Sequence, residues 1–313
     1  MSCSYVLVTP AYNEERFIRR TIEAVIAQTL RPMKWVIVSD SSTDGTDAIV
    51  RSYAAEYDFI SLLRISEHHP RSLSARIRAI NSAARLLEGQ TYDFIGTVDA
   101  DVSFGPDYFR TLIGRFLNRE TLGIAGGIVQ DIGGTTLPTA PGEQHRTVAN
   151  AAQLLRRECR EAIGEYPALP FGAPDTYCEV TARMKGWSVE TFPDLIVEHY
   201  RHTGSASGFL RGRFLQGQKD FSFGYHPIFE VFKCARRIRE KPFVLGALLR
   251  MAGFCWSYVR VRRPAVSQDF VHFLRREQLQ RLRAFARPLL GIPHPADRST
   301  LQCKYGCKEG NKN

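Results

Sequence analysis

The chain has 313 residues, 44% of them hydrophobic and 24% charged, enough to fill the core of one large or two modest globular domains. Its net charge of +10 is uneven: residues 1–200 carry 20 Lys+Arg against 25 Asp+Glu, and residues 201–313 carry 22 against 7. That balance excludes a disordered polar chain, argues against a nucleic-acid binder that is basic throughout, and assigns the acidic front and basic rear to different tasks.

The opening MSCSYVLVTP runs straight into a strand-like segment and lacks the pattern of a secretion signal. Phe243 to Val259 is the best candidate for a membrane span, but Arg250 interrupts it. Neither uncharged piece reaches the roughly 20 residues that cross a bilayer. Seven cysteines, an odd number without framework spacing, point to reduced thiols and a cytoplasmic protein. Cys303 and Cys307 form at most half a metal site, and residues 291–313 read as a polar, flexible tail.

Tyr5 to Val8 is the first strand, stopped by Pro10. Asn13 is placed to cap a helix carrying Phe17, Ile18, Ile22, Val25 and Ile26. Trp35 to Val38 is a second apolar run ending at Asp40, with a turn over Ser41 to Thr46 and a helix through Ala48, Ile49, Val50 and Tyr53. Phe59 to Ile65 is a third strand, and Ser74 to Leu87 a helix rich in Ala and Arg. The next strand, with Phe94, Ile95 and Val98, ends on Asp99 and Asp101. Pro106 and Asp107 open another helix. This alternation predicts an α/β fold with a parallel sheet and right-handed crossovers. The glycine fingerprint of dinucleotide folds and the P-loop are both missing after the first strand, so phosphates must be met by metal and arginine.

Gly123 to Val129 is a glycine-bearing strand, read either as a site of close backbone approach or as a bulge. Val148 to Ile163 reads as a charged helix. A loop over Pro170 to Asp175 precedes a helix from Thr176 to Lys185, ending at Gly186. Ser188 to Phe192 and Leu195 to Glu198 are short strands, followed by His199, Tyr200, Arg201 and His202.

Acids do not belong inside a buried parallel strand, so Asp99 and Asp101 must sit where theirs emerges, at the sheet edge that binds ligands. Residues i and i+2 of an extended chain point the same way. Two carboxylates so placed can hold a hard divalent cation and leave room for water and phosphate. An acidic turn is the plainer alternative.

VTPAYNEERFI, VSDSSTDGT, VDADVSF and a G-x-x-D loop before a helix ending in MKGW, in this order over residues 5–200, resemble a family 2 glycosyltransferase. The resemblance implies a GT-A (Rossmann-like), mostly parallel central sheet flanked by helices. It further implies a nucleotide-sugar donor, a divalent metal (Mn2+ or Mg2+) and an inverting displacement. Thr9, Pro10, Ala11 and Glu14 match the first nucleotide-contacting loop, and Asp40 the acid that takes a hydrogen bond from the base. Ser39 and Ser41 depart from the usual Asp and Gly. Arg71 and Arg76 stand where members place a basic residue near the diphosphate; a solvated helix face is their other reading. Asp99 and Asp101 match the metal motif, Asp101 as the more direct ligand and Asp99 also toward the ribose. His199, or else His202, would complete the sphere. Asp175 matches the catalytic base, and Asp is also a strong N-cap for the helix behind it.

The resemblance makes residues 1–205 the nucleotide-sugar-binding catalytic domain and 206–290 a basic, amphipathic helical extension. Later stretches such as GYHPIFEVFK and KPFVLGALLRMAGF are similar to the tails of exopolysaccharide and lipid-linked glycan members, which implies a glycan or polyprenyl-linked acceptor. Arginines interleaved with aromatics there suit an anionic membrane surface, reached from the cytoplasmic side, or plain packing on the catalytic domain. Nucleic acid is a weaker partner because it leaves the acidic set unexplained. A non-catalytic nucleotide-sugar-binding subunit is the main rival: it would keep Asp40 and the metal pair and tolerate loss of Asp175.

Overall fold

Tyr5, Val6, Leu7 and Val8 are all buried, so strand β1 (Tyr5–Ala11) is covered on both faces, as its unbroken apolar run demands. The computed structural model describes residues 3–65, 75–87, 89–132, 146–167, 169–201, 209–238 and 243–289. α1 (Ile18–Ile26) buries Ile18, Ile22 and Val25 along one stripe. β2 (Lys34–Asp40), α2 (Thr46–Glu56), β3 (Ile60–Ile65), α3 (Ala75–Leu86) and β4 (Phe94–Val98) continue the alternation. β5 (Val102–Phe104) and α4 (Tyr108–Leu117) come next, then β6 (Leu122–Asp131), β7 (Ala152–Arg156), α5 (Arg157–Ile163), α6 (Pro174–Met184) and β8 (Ser188–His199).

Among the described residues, eight strands form one mixed, mostly parallel sheet in the order β3-β2-β1-β4-β7-β6-β8-β5. β3, β2, β1 and β4 are parallel, as are β6 and β8. β7 runs antiparallel between β4 and β6, and β5 antiparallel to β8. The α/β expectation holds.

Four local expectations do not. The stretch from Val148 is not one helix: it supplies β7 and then α5. Ala152, Leu154 and Leu155 are buried on both faces of β7, and this tertiary environment overrides the helical preference of Ala and Leu. The two short strands after Gly186 are one, β8, paired with β6 except for two shifts, one at Gly123 and one that leaves Pro193 to Leu195 bulged. Gly127 makes that bulge possible, since a Cβ there would lie 2.3 Å from the Leu195 carbonyl oxygen. Close approach and bulge thus coincide at one glycine. Asn13 caps no helix, because α1 starts only at Ile18; it takes a left-handed φ of 53° and accepts the Thr43 N–H at 2.8 Å. Asp175 is not an N-cap either: α6 begins at Pro174, with left-handed Ala173 before it and Asp175 in its first turn.

The chain divides into two compact units, residues 1–212 and 213–313. α7 (Phe209–Ser222), α8 (Pro227–Arg236), α9 (Phe243–Arg260) and α10 (Gln268–Leu289) are helical. α7 and α9 meet backbone to backbone at glycines. A Cβ on Gly217 would strike the Arg250 carbonyl, and one on Gly253 the Phe214 carbonyl. Arg250 is buried between these helices and α8, with its guanidinium on Asp220 and 2.8 Å from Glu230. Lys233 stands 3.2 Å from Asp220, its pKa pushed down to about 8, chiefly by burial. Among the described residues, no helix is long and apolar enough to cross a membrane.

Candidate active site

Topology decides where a ligand can enter. From β1 the chain moves outward to β2 and β3, then returns to β4 on the other side of β1. The crevice beyond the carboxyl ends of β1 and β4 is therefore the switch point at which open α/β sheets bind ligands. Glu14 follows β1, Asp99 and Asp101 follow β4, Asp131 ends β6 and His199 ends β8.

Register brings the last three acids and bases together. Val102 and Asp131 both stand opposite His199 in the ladder, which draws Asp101 beside it. His199 Nδ1 lies 2.9 Å from Asp131 Oδ1, and Nε2 lies 3.5 Å from Asp101 Oδ2. These carboxylates, Asp101 first, lift the imidazole pKa to about 9 against the opposing effect of burial. Arg201 places Nη2 at 2.5 Å from Glu14 Oε2 and Nε at 3.5 Å from Asp101 Oδ2. Burial is the main reason that the Glu14 carboxyl is raised to about 7; Arg201 pulls it down, and Asp101 and Asp99 push it up.

Arg76 comes from α3, donates to Asp99, and reaches the Asn150 carbonyl at 3.2 Å. Burial works against its charge, but Asp99, with Asp175 and Asp101 behind it, outweighs burial and raises its pKa. Asp99 is raised in turn by burial, with Arg76 opposing. One guanidinium thus lies in the field of three of the acids that the motifs singled out. Asp175 is half-buried in the first turn of α6, where aligned peptide dipoles favour a carboxylate.

Nearer the sheet's outer strands, Asp40 ends β2 and stands 3.8 Å from Arg78 Nη2. Ser41 adopts a left-handed φ of 59°, a backbone that favours Gly, and its hydroxyl donates to the Ile65 carbonyl at 3.1 Å. The loop holding Glu14 is clamped onto this turn: Glu14 N–H donates to Thr46 Oγ1 and Gly45 N–H to Glu15 Oε2. Thr9 is fully buried and its hydroxyl accepts the Trp35 indole N–H at 3.0 Å, so its side chain is committed to the core. Pro10 and Ala11 complete β1, with Ala11 buried. Arg71 and His202 lie outside the described residues.

Sequence reasoning gave no role to three residues that belong to this cluster. Arg78 is two positions beyond Arg76 in an Arg-Ile-Arg pair. Asp131 ends a strand as Asp40 does, which was its available signal. Arg201 follows His199, but nothing local announces its reach to Glu14.

Among the described residues, no three His, Cys, Asp or Glu side chains already form a cation cage. The donor set nevertheless fits a divalent cation. Asp101 and the Nε2 of His199 face each other, while Asp131 holds Nδ1, the arrangement that orients a metal-ligating imidazole.

The backbone is similar to that of the mannosyltransferase PcManGT from Pyrobaculum calidifontis, solved with GDP-Man and Mn2+. The TM-score is 0.54 over 98% of this chain and 89% of that one, at 17% identity. GalNAc-T7, solved with UDP, GalNAc and Mn2+, gives 0.56 over 83% and 56%, at 15% identity. These likenesses define the class: an α/β protein of the GT-A fold. The sequence matches Glycosyl transferase family 2 over residues 6–167, just over half its length, and the chain belongs to that family. The glycosyltransferase AglE of Haloferax volcanii is 25% identical over 215 residues, 62% of this chain. The chain spans less than two thirds of such curated relatives, matching 66% of AglE and 15% of the glycosyltransferase GlyA of Streptococcus pneumoniae.

Proposed function

We propose that this chain transfers a sugar, with inversion, from a UDP-sugar to a hydroxyl of a glycan or lipid-linked acceptor. The observation that carries the reading is the grouping of Asp99, Asp101 and Asp175 about Arg76 at the sheet's switch point. Asp175 serves as general base: it takes the acceptor hydroxyl proton as the new C–O bond forms and the bond to the nucleoside diphosphate breaks. Family members' Asp-rich motif supports Asp99 and Asp101 at the ribose and diphosphate. Asp40 accepts an N–H of the base, and Arg78 beside it is placed to donate to a base carbonyl. Asp101 and His199 would hold Mn2+ or Mg2+. When bound, the cation would neutralise the charge that develops on the departing diphosphate. Among the described residues, Arg76 and Arg201 are available to the phosphates, beside Arg71, which the sequence assigns to the same task.

Calorimetry of UDP, GDP and their sugar conjugates, with and without Mn2+, tests this. Metal-dependent binding of a UDP conjugate, followed by turnover with a glycan or polyprenyl acceptor, is the expected result. Preference for GDP would overturn the base assignment alone. Tight donor binding with no turnover on any acceptor would return the chain to a non-catalytic binding subunit.

A further inference from the structure

α9 is built inside out for a helix in water. Its buried side carries Gly246, Ala247, Arg250, Gly253, Phe254 and Ser257, mostly small or polar. Its outward side carries Val244, Leu245, Leu248, Trp256 and Val259, each between 48% and 70% exposed. These five recur at spacings of three, four and eight, so they form one stripe. A solvated helix buries its large apolar side chains and exposes its charges; here the only charged side chain before the terminal Arg260 is the one buried on Asp220 and Glu230. The glycine contacts with α7 fix this orientation, because rotating α9 would drive a side chain into the α7 backbone.

The charge along this segment of the chain has one sign. From Lys241 to Gln268 the sequence holds five basic residues and no acidic one. Arg260, Arg262 and Arg263 are exposed at the helix's carboxyl end, and the Arg260 guanidinium lies 4.9 Å from the Trp256 ring centroid. An exposed Trp with a guanidinium over it matches the chemistry of a headgroup boundary, apolar below and anionic above. We propose that this face of α9 docks in plane on an anionic lipid surface, its apolar stripe entering the acyl boundary and Arg260, Arg262 and Arg263 meeting headgroup phosphates. The inference does not depend on the transfer reaction and goes beyond it, naming the surface on which the enzyme would meet a lipid-linked acceptor.

Flotation of the full chain with phosphatidylcholine vesicles, with and without phosphatidylglycerol, tests the proposal. Binding is expected to phosphatidylglycerol vesicles and to weaken with salt. Joint Arg260→Gln, Arg262→Gln and Arg263→Gln substitution should weaken it on the order of 100-fold. Leu248→Ser with Trp256→Ser should abolish it. On the wild-type chain, brominated lipid should quench Trp fluorescence, and Trp256→Phe should remove that quenching, since Trp35 is fully buried and Trp187, only partly exposed, belongs to the first unit. This readout stands even where the serine variant misfolds. No flotation with phosphatidylglycerol at low salt, or quenching that survives Trp256→Phe, would overturn the proposal. So would a wild-type dimer in sedimentation that Leu248→Ser dissociates, because the stripe would then belong to a second copy of the chain.

Discussion

Arg201 Nη2 lies 2.5 Å from Glu14 Oε2, joining residues 187 positions apart, and its Nε turns to Asp101. The acids of the site therefore do not face an empty crevice. Arg76 balances Asp99, while His199 and Arg201 balance Asp101, Asp131 and Glu14. Arg201 stands by an oxygen of Asp101 that a divalent cation would need, so the two compete for it. With donor present, the displaced guanidinium is available to the diphosphate. Arg201→Gln is expected to bind Mn2+ alone more tightly than wild type. It should bind the nucleotide with metal roughly 10- to 100-fold more weakly. Arg201→Lys, which keeps the charge but loses the fork, should fall between. Calorimetry of metal and nucleotide separately reads both changes; a purely structural arginine would move them in the same direction.

Asp175 stands in the first turn of α6, after left-handed Ala173, and its charge is felt by Arg76. Asp175→Asn is expected to lower kcat by about 10²- to 10⁴-fold, the usual worth of a general base. Donor affinity should stay near the wild-type value, since the proposed nucleotide contacts lie on other loops. Single-turnover kinetics beside donor titration separates the two. Lost donor affinity with normal turnover would contradict the assignment.

The parts of this site visible in sequence are those encoded locally. An apolar run that ends in acids marks the mouth of a buried strand, and Asp40, Asp99 and Asp101 all carry that mark. Ser41 was visible as a departure from Gly, and its left-handed φ shows which constraint it meets. What sequence hid was pairing at a distance. Asp131 and His199 meet only because β6 and β8 are in register, and Arg201 meets Glu14 only because β8 ends beside the β1 loop. β7 was hidden for the opposite reason: Ala-Ala-Gln-Leu-Leu has a helical preference, and only burial between β4 and β6 makes it a strand.

Arg250 interrupts an apolar stretch in sequence, yet in the fold it holds three helices. Arg250→Met removes the charge that balances buried Asp220 and Glu230, and is expected to destabilise residues 213–289 by about 3–5 kcal/mol. Combining it with Asp220→Asn and Glu230→Gln should recover much of that loss, because the buried carboxylates are neutralised with the guanidinium and Lys233, its pKa already pushed down to about 8, can shed its proton. Denaturant melts of the three proteins check the order. Equal destabilisation in both variants would show that the packing of the arginine stem, not its charge, holds the helices.

Glu179 gives the first unit a pH dependence of definite sign. Its carboxyl is buried on α6, chiefly for that reason raised to about 8, with Asp175 adding to the rise and the Val148 N–H, 2.7 Å from Oε1, opposing it. Between its ordinary 4.5 and about 8, the folded chain keeps a proton that the unfolded chain has lost. Stability from this group therefore falls as pH rises through that window, and the cost of the buried carboxylate is complete above it. Glu179→Gln keeps an acceptor for Val148 without a charge. Thermal melts at pH 5 should give wild type and Glu179→Gln similar Tm values. By pH 9 the variant should melt higher, by about 2–4 °C for each kcal/mol that ionisation costs. A Tm difference that stays constant from pH 5 to 9 would mean that Glu179 is ionised throughout, with its charge matched by the Val148 N–H and Arg183.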